Sequence, residues 1–381
     1  MKQVRPIILV FLFSAMLAFT SCATFQQEAE GQIPLPPLES TVAAIDKYGN
    51  LTLQMGKEEL LGFGYEVGDI TEITVGSLSF EAPIGTSYSD VDKGNLLVRL
   101  NQGSVMLAIN YGDLGKASSA VVGSPVLITL SRKGGYLQQF ELRRLVRSEN
   151  REDYASDEVF ANFRMVQNGS IAANTLYRSA NPLLDDPRAP YVEALAREAG
   201  IRTVINLADE QTGLYANLGQ APYYKALAEE GSVIALNMGV TCTDPDFTAK
   251  LREGLAFMAS HKGPYLVHCN EGKDRAGFVI ALLSALMGAT VDEVVEDYMK
   301  SYQNYYGLEK GSERYKLISK IILDLFADLN GGKAVTNRSL GSVARAYLTD
   351  QVELSPGQIR AIQDNLSARK LEIHGSIVFT L

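Results

Sequence analysis

Short apolar runs of strand length fill the first part of the chain. Residues 96–100 and 105–109 are rich in aliphatic side chains, and turn pairs such as Gly49-Asn50 separate runs of this kind. No helical period of comparable length interrupts them. The pattern predicts a small all-β, barrel-like domain over residues 41–147.

A different pattern begins at Ser148. Short apolar runs, such as 233–236 and 265–267, alternate with stretches of helical period such as 278–287. This alternation is typical of a parallel sheet with crossover helices. The sequence therefore predicts an α/β domain over residues 148–375, with a central, mostly parallel sheet flanked by helices.

The N-terminus has the pattern of an export signal. Lys2 and Arg5 precede an apolar stretch of fifteen residues, which is too short to span a bilayer comfortably because a span needs about 20 residues. Cys22 follows this stretch. We predict a signal peptide over residues 1–21 and a proline-containing tether over 22–40.

The small residue before Cys22 resembles the lipobox of bacterial lipoproteins, in which the chain is cleaved before the cysteine and diacylglycerol is attached to its sulfur. This resemblance implies a membrane-anchored protein on the periplasmic or cell-surface face of a bacterial membrane. The alternative is an ordinary secretory signal in which Cys22 is incidental. Both alternatives predict export.

Composition narrows the classes of partner. The 381 residues carry a net charge of −9, so nucleic acids and anionic lipid faces are poor partners overall. Three cysteines and three histidines are present, without Cys-x-x-Cys or His-Glu-x-x-His spacing. We therefore predict no metal site and no cofactor.

One ten-residue motif, from His268 to Gly277, lies between a predicted strand and a predicted helix. The first amides of a helix lack partners and the peptide dipoles add partial positive charge there, so an anion is stabilised at that end. A loop from Cys269 to Arg275 can present its backbone N–H groups to one phosphate while the guanidinium grips two oxygens. The same field favours the thiolate form of a cysteine.

Attack of the Cys269 thiolate on phosphorus would give a phosphocysteine intermediate, which water then hydrolyses. For Cys269 and Arg275 alone, a structural cysteine beside a surface arginine is an adequate alternative. We prefer the catalytic interpretation because His268, Gly272 and Ala276 accompany the pair in this context.

At these residues the chain resembles the cysteine-dependent protein tyrosine phosphatase superfamily, whose signature is His-Cys, five residues, then Arg. Gly272 to Arg275 is similar to the Gly-Lys-Asp-Arg loop of a bacterial branch of tyrosine and lipid phosphatases. The resemblance covers residues 155–370 and implies hydrolysis of phosphotyrosine proteins or phosphoinositides. Ala276 stands where that branch usually has Thr, so a hydroxyl that helps to orient the thiolate is missing.

The resemblance also implies that the loop residues bind the substrate phosphate. These residues are Asn270, Glu271, Gly272, Lys273 and Ala276. In that branch, Lys273 goes with tolerance of highly charged phosphoinositide head groups. The alternative for Lys273 is a solvated surface lysine.

Two positions compete for the general acid that protonates the leaving oxygen. The resemblance favours Asp274, within the loop. The superfamily at large uses an aspartate on a movable loop, which here would be Asp244 or Asp246. Asp244 also suits a structural role as the N-cap of the helix that follows it.

Three neighbouring residues have alternative interpretations. Arg178 contacts the substrate or forms a structural ion pair. His268 is expected to order the loop by hydrogen bonds. Cys242 is a small buried hydrophobe or, if its loop folds over the site, a disulfide partner that protects Cys269 from irreversible oxidation.

The end of the chain is predicted to be helical. Residues 317–329 have a helical period, and Ser355 begins a last helix with a capping pattern. We expect this last helix, together with residues 343–350, to cover the active site as a lid.

The all-β domain weakly resembles, at residues 45–51 and 107–113, the β-barrel domain of S-adenosylmethionine-dependent hydroxide adenosyltransferases. The larger N-terminal domain of that family is not found in this sequence, so its catalysis is not carried over. A purely structural barrel is the expectation, and an adenosine-like ligand surface is the alternative. The protein as a whole could then be a non-catalytic phospho-ligand or adenosine-like ligand-binding surface lipoprotein, against which Cys269, Asp274 and Arg275 together argue.

Overall fold

The computed structural model describes residues 35–367, and its first domain is a closed barrel of seven strands. The strands are β1 (Leu38–Ile45), β2 (Leu51–Gly56), β3 (Ile70–Val75), β4 (Leu78–Gly85), β5 (Leu96–Asn101), β6 (Ser104–Ile109) and β7 (Pro125–Arg132). Their order is β1-β2-β6-β5-β4-β3-β7, and β7 pairs with β1 to close the barrel. All neighbours are antiparallel except β4 and β5.

Every second side chain of a barrel strand points inward and helps to fill the barrel. Along β3, Thr71, Ile73 and Val75 point inward and are buried, while Glu72 and Thr74 between them are exposed. A strand has a side-chain period of two, so this sequence presents one apolar face to the interior. The barrel has its own apolar core, as the sequence predicts.

The predicted limits of this domain differ from the structure in detail. The first barrel strand starts at Leu38, inside the predicted tether, because residues 38–41 pair with β7. Three short helices also interrupt the predicted all-β region: α1 (Lys57–Gly62), α2 (Leu114–Ser118) and α3 (Leu137–Leu142). The first two lie between strands, and α3 leads out of the barrel.

The second domain contains a five-stranded sheet of order β11-β10-β12-β9-β8. The strands are β8 (Arg164–Met165), β9 (Leu176–Ser179), β10 (Thr203–Asn206), β11 (Val233–Ala235) and β12 (Tyr265–His268). Four of them are parallel, and only the two-residue β8 at one edge is antiparallel. The central strands are buried along their whole length, as expected for a parallel sheet covered on both faces.

Helices cover this sheet, which confirms the predicted α/β class. They are α4 (Asp157–Phe160), α5 (Ala189–Glu198), α6 (Gln211–Asn217), α7 (Pro222–Glu229), α8 (Pro245–Ser260), α9 (Asp274–Leu286), α10 (Val291–Tyr306), α11 (Glu313–Leu329), α12 (Leu340–Ala346) and α13 (Pro356–Leu366). In α9, every residue from Ala276 to the end of the helix is buried. This helix lies at the centre of the domain's apolar core.

The two C-terminal helices are part of that core. Along α13, Ile359, Ile362 and Leu366 form a buried stripe, and the helix packs on α8. The helix α12 packs on α9, and the hydroxyl of Tyr347, just beyond it, donates to the Cys242 carbonyl at 2.5 Å. This packing differs from the predicted lid, because the apolar faces are buried against the domain's own helices.

The predicted signal peptide and Cys22 lie outside the described residues. Among residues 35–367, no helix is both long enough and apolar enough to cross a membrane.

Candidate active site

The motif that begins at His268 forms the turn between β12 and α9. The strand β12 is the middle strand of the sheet and is buried throughout, and α9 begins at Asp274. The turn therefore lies at the carboxyl ends of the parallel strands, where open α/β sheets place their ligand sites. Cys269, the first residue after the strand, is only 3% exposed. The predicted strand-loop-helix arrangement is confirmed.

Arg178, on β9, holds the carbonyl groups of the loop from behind. Its Nη2 donates to the carbonyls of Gly272 at 2.6 Å and Lys273 at 3.0 Å. A trans peptide points its N–H opposite to its C=O, so the amides that follow these carbonyls face the other side of the loop. The loop thus presents backbone donors away from the protein interior, as an anion cradle requires.

Three further groups fix the preceding carbonyls. The Asn162 Nδ2 and the Tyr305 hydroxyl both donate to the Glu271 carbonyl, at 2.9 Å and 2.7 Å. The backbone amide of Asn181 donates to the Asn270 carbonyl at 3.0 Å. Four consecutive carbonyls of the loop are therefore held by groups outside it.

Gly272 is required by the shape of the loop. Its φ is +64°, in the left-handed region, and a Cβ at this position would lie 2.1 Å from the Ser179 carbonyl oxygen. Any side chain would meet the backbone of β9 and force the loop outward. The close approach of Gly272 sets the loop against the strand that also carries Arg178.

Buried charges support Arg178. Its Nη1 contacts the Asp297 carboxylate, whose other oxygen accepts from Arg164 Nε at 3.0 Å. Burial alone raises the pKa of Asp297, but the charges of the two arginines hold it below its ordinary value. Burial lowers the pKa of Arg164 to about 10, so Asp297 and Arg164 are both ionised at neutral pH.

These contacts bear on the two roles left open for Arg178. Its side chain is completely buried and is engaged by Asp297 and by loop carbonyls. The structure thus shows the structural ion pair. A direct contact with substrate stays a prediction that the described geometry does not favour.

Arg275 is fixed through one nitrogen. Its Nη1 donates to the carbonyls of Leu207, at 3.1 Å, and Met238, at 3.0 Å. These two residues follow β10 and β11, so the arginine ties the loop to two neighbouring strand ends. The side chain of Arg275 is partly exposed at the loop.

Lys273 and Asp274 form an ion pair on the outer side of the loop. The Lys273 ammonium donates to both carboxylate oxygens of Asp274 at 2.8 Å, lies 3.6 Å from Glu271 and stacks over the Tyr302 ring. Burial lowers the pKa of Lys273, but the Asp274 charge more than offsets this and raises it above its ordinary value. Lys273 is therefore a buried cation, which excludes the solvated-lysine alternative.

The candidate general acids occupy different surroundings. The Asp274 side chain is 55% exposed at the start of α9 and is bound to Lys273. Asp244 is the N-cap of α8, as its alternative role predicts, and accepts from the Asp246 amide at 2.8 Å. Asp246 pairs with Lys250 at 2.8 Å, one turn further along the same helix.

His268 lies beneath the loop, completely buried. Its Nε2 lies 3.0 Å from the Tyr224 hydroxyl, and Tyr224 in turn accepts from Asn206 Nδ2 at 3.0 Å. Burial lowers the pKa of His268 to about 4, although the nearby Asp209 charge opposes the shift. The imidazole is therefore neutral near pH 7, and within the described residues its Nδ1 has no hydrogen-bond partner.

Cys242 is buried, which agrees with its interpretation as a small hydrophobe. Burial also raises the pKa of the Cys242 thiol. Both Cys242 and Cys269 are free thiols in the structure. A disulfide between them stays a prediction.

Sequence reasoning assigned no role to several residues that shape the site. Asn162, Tyr305 and Asp297 fix the loop from behind, and Arg147, in the segment that leaves the barrel, donates to the Glu271 carboxylate at 2.8 Å. Asn162 adopts a left-handed φ of +48°, a conformation that Asn is among the few residues to tolerate. In residues 35–367 no cluster of three or more His, Cys, Asp or Glu side chains is arranged to hold a metal ion.

Comparison with known families agrees with this geometry. A model of the tyrosine phosphatase family matches residues 160–368, more than half of the sequence, and the chain belongs to this family. The second domain is thus a phosphatase domain. A model of the C-terminal domain of S-adenosylmethionine hydroxide adenosyltransferases matches residues 40–127, so the barrel is similar to that domain.

Solved structures resemble parts of the chain. An uncharacterized conserved protein from Thermotoga maritima is 26% identical over 26% of this chain and 39% of its own, with a TM-score of 0.24. A conserved hypothetical protein from Thermus thermophilus is 24% identical over 26% of this chain and 37% of its own, with a TM-score of 0.20. The chain thus spans about two fifths of the length of both proteins.

A third structure is the core catalytic domain of the PP-IP phosphatase SIW14 from S. cerevisiae, in complex with citrate. It is 18% identical over 45% of this chain and 93% of its own, with a TM-score of 0.26. No curated protein sequence matches the chain. The assignment to the tyrosine phosphatase family therefore rests on the family model.

Proposed function

We propose that the protein is an exported cysteine-dependent phosphatase that hydrolyses phosphate monoesters through a phosphocysteine intermediate. The Cys269 thiolate attacks phosphorus, the phosphorus–oxygen bond breaks, and the leaving oxygen takes a proton. Water then attacks the phosphorus and the phosphorus–sulfur bond breaks, which releases inorganic phosphate and restores the thiolate.

One observation supports this proposal above the others. Four consecutive carbonyls of the loop, from Asn270 to Lys273, are held by groups behind it. The amide groups between them face the opposite side, directly after the cysteine and at the N-terminus of α9. Backbone donors in that position stabilise a phosphate and the charge that develops on its oxygens during transfer.

Arg275 completes the phosphate site in this proposal. Its Nη1 is held by two backbone carbonyls, and the other edge of the guanidinium grips two phosphate oxygens. Holding the side chain in advance reduces the conformational freedom that is lost when the ester binds.

Asp274 is the proton donor that we favour. It stands at the start of α9, next to the phosphate site, whereas Asp244 already caps α8 and Asp246 pairs with Lys250. To donate, Asp274 must part from Lys273, and a substrate phosphate offers that ammonium an alternative anion.

The substrates that the family suggests are phosphotyrosine proteins and phosphoinositides. Lys273 supports both, because a buried ammonium beside the loop adds a positive charge to that of Arg275. Export and a lipid anchor at Cys22 belong to the same proposal and rest on the N-terminal sequence alone. Incorporation of labelled fatty acid into the wild type, and its loss in Cys22→Ala, tests the anchor.

The decisive experiment compares the wild type with Cys269→Ser. The wild type should hydrolyse para-nitrophenyl phosphate in a vanadate-sensitive reaction. The Cys269→Ser variant should lose turnover by about 10³-fold or more while retaining phosphate-ester binding, since a hydroxyl is not ionised near neutral pH. Cys242→Ser is the matched control and should remain active. Activity of Cys269→Ser within tenfold of the wild type would exclude the mechanism.

A further inference from the structure

A cavity of about 440 Å³ opens beside the phosphate-binding loop. Three consecutive residues of the motif, Lys273, Asp274 and Arg275, line part of it. Much of the remaining wall is apolar, including Phe247 on α8 and Phe278 on α9. A mostly apolar cavity of this size, with a few charged groups in its wall, is typical of small-molecule sites.

Part of the wall comes from outside the phosphatase domain proper. Leu142, the last residue of α3, and Leu145 belong to the segment that leaves the barrel, and both line the cavity. Ile321 and Leu325, which are on α11, line it as well. All four side chains are half-buried, so an apolar surface remains accessible within the cavity.

Polar contacts hold this segment in place at both ends. On one side, Gln138 Nε2 donates to the Leu317 carbonyl at 3.2 Å, and Arg314 Nε donates to the Glu141 carboxylate at 2.7 Å. On the other side, Arg147 is bound to Glu271 of the loop. The two leucines are thus positioned between α11 and the phosphate-binding loop.

We propose that the cavity binds the apolar chain of a phosphate monoester whose phosphate occupies the loop, and that Leu142 and Leu145 determine specificity for that chain. The proposal rests on the proposed phosphatase function. The occupant follows from the composition of the wall: the cations Lys273 and Arg275 of the loop line the cavity together with Asp274, and most of the other lining side chains are apolar or aromatic. The favoured class is therefore an alkyl phosphate or a single-chain phosphorylated lipid, in which the chain begins within a few bonds of the ester oxygen.

A series of phosphate esters with alkyl chains of increasing length tests this proposal in the full-length protein. We expect kcat/KM to rise from ethyl through butyl and hexyl to octyl phosphate, by up to about fourfold per methylene until the cavity is filled. The rise should come mainly from KM, because the chain contacts the wall before and after phosphoryl transfer. Assays stay below the concentration at which octyl phosphate forms micelles.

Variants of Leu142 and Leu145 test whether these two side chains cause the dependence on alkyl chain length. Leu142→Ser and Leu145→Ser should each lower kcat/KM for octyl phosphate by about tenfold and leave ethyl phosphate within twofold. Leu127→Ser, at an exposed leucine of the barrel, is the matched control and should leave the whole series unchanged. Ile321→Trp fills the cavity from α11 and should slow only the long esters, so the test does not depend on one substitution folding well.

Distinct results separate this proposal from the function on which it rests. If no ester is hydrolysed in a vanadate-sensitive manner, the phosphatase proposal fails. If para-nitrophenyl phosphate is hydrolysed but kcat/KM does not change with chain length, the phosphatase stands and the apolar site is excluded. The proposal would also be overturned if the enzyme prefers a phosphotyrosine peptide to octyl phosphate and neither leucine variant changes the rate of peptide hydrolysis.

Discussion

The two sides of the proposed phosphate-binding loop differ in how firmly their side chains are held. Behind the loop, Arg178 and Asn162 are buried, Asp297 is 10% exposed, and all three are bound to the backbone or to each other. In front of it, the buried Lys273 ammonium pairs with the carboxylate of Asp274, whose side chain is 55% exposed. The rear groups fix where the backbone donors point, and in the proposed function the front groups exchange partners when an anion binds.

The energetic consequences differ accordingly. Removing one member of a buried ion pair leaves an uncompensated charge and costs about 3 to 5 kcal/mol, whereas an exposed pair contributes about 0 to 1 kcal/mol. Changes behind the loop should therefore lower stability. Changes in front should alter rates or substrate choice while the fold is retained.

The largest expected effect is on the rate of hydrolysis and comes from a change at the front of the loop. Asp274→Asn should slow phosphotyrosine hydrolysis by roughly 10² to 10⁴-fold, because general acid catalysis is worth that much. Para-nitrophenyl phosphate should be affected far less, since its leaving group departs without much protonation. Asp244→Asn and Asp246→Asn serve as controls in steady-state assays with both esters. If one of these controls shows the leaving-group dependence instead, the start of α8 supplies the proton.

Behind the loop, Asp297→Asn should destabilise the protein by about 3 to 5 kcal/mol, because Arg164 and Arg178 lose their counter-charge in a buried site. Urea unfolding followed by circular dichroism measures this change. Glu296→Gln is the adjacent control: its carboxylate pairs with Lys310 on the surface, so its loss should stay within about 1 kcal/mol. Equal effects of the two variants would contradict the distinction between buried and exposed ion pairs.

His268, which is buried behind the loop, should make the free energy of unfolding depend on pH. Its pKa is lowered from 6.5 to about 4, so between these values the unfolded chain binds a proton that the folded protein does not. Stability should therefore fall as pH drops from 6.5 to 4, by on the order of 3 kcal/mol from this residue. His268→Gln should remove that part of the slope in urea titrations at several pH values. An unchanged slope would assign the acid sensitivity to other groups.

The smallest effect is expected at Arg147. Its ion pair with Glu271 is partly exposed on both sides, so Arg147→Gln should lower the free energy of unfolding by up to about 1 kcal/mol. Urea unfolding at low and high salt checks this, since the wild-type contribution should shrink as salt screens the pair. A loss above about 2 kcal/mol would place this pair with the rear groups.

The sequence predicts features that depend on neighbours along the chain. The loop between β12 and α9 follows from an apolar run, a glycine-containing turn and a helical period, and the Asp244 N-cap follows from the Asp-Pro pair before α8. The strand order of the barrel and the capture of the Glu271 carbonyl by Asn162 and Tyr305 were not predicted. They depend on residues far apart in sequence, whose contact is set by the packing of whole elements.

The packing of the C-terminal helices was not predicted, for a related reason. The apolar stripe of α13 shows that one face is covered, but period alone does not say what covers it. In the structure that face is buried against the domain's own helices. The place of Leu142 and Leu145 beside the loop could not be predicted either. Nothing in their local pattern links them to a loop more than 120 positions away.

The closed barrel and the short outer strands of the second sheet bear on how the protein behaves at high concentration. A barrel has no edge strand, and the outer strands of the second sheet, β8 and β11, are two and three residues long. Long unpaired edges recruit strands from other chains, and short ones offer few backbone groups for such pairing. In residues 35–367, both sheets therefore resist the intermolecular strand addition from which fibrillar aggregates grow.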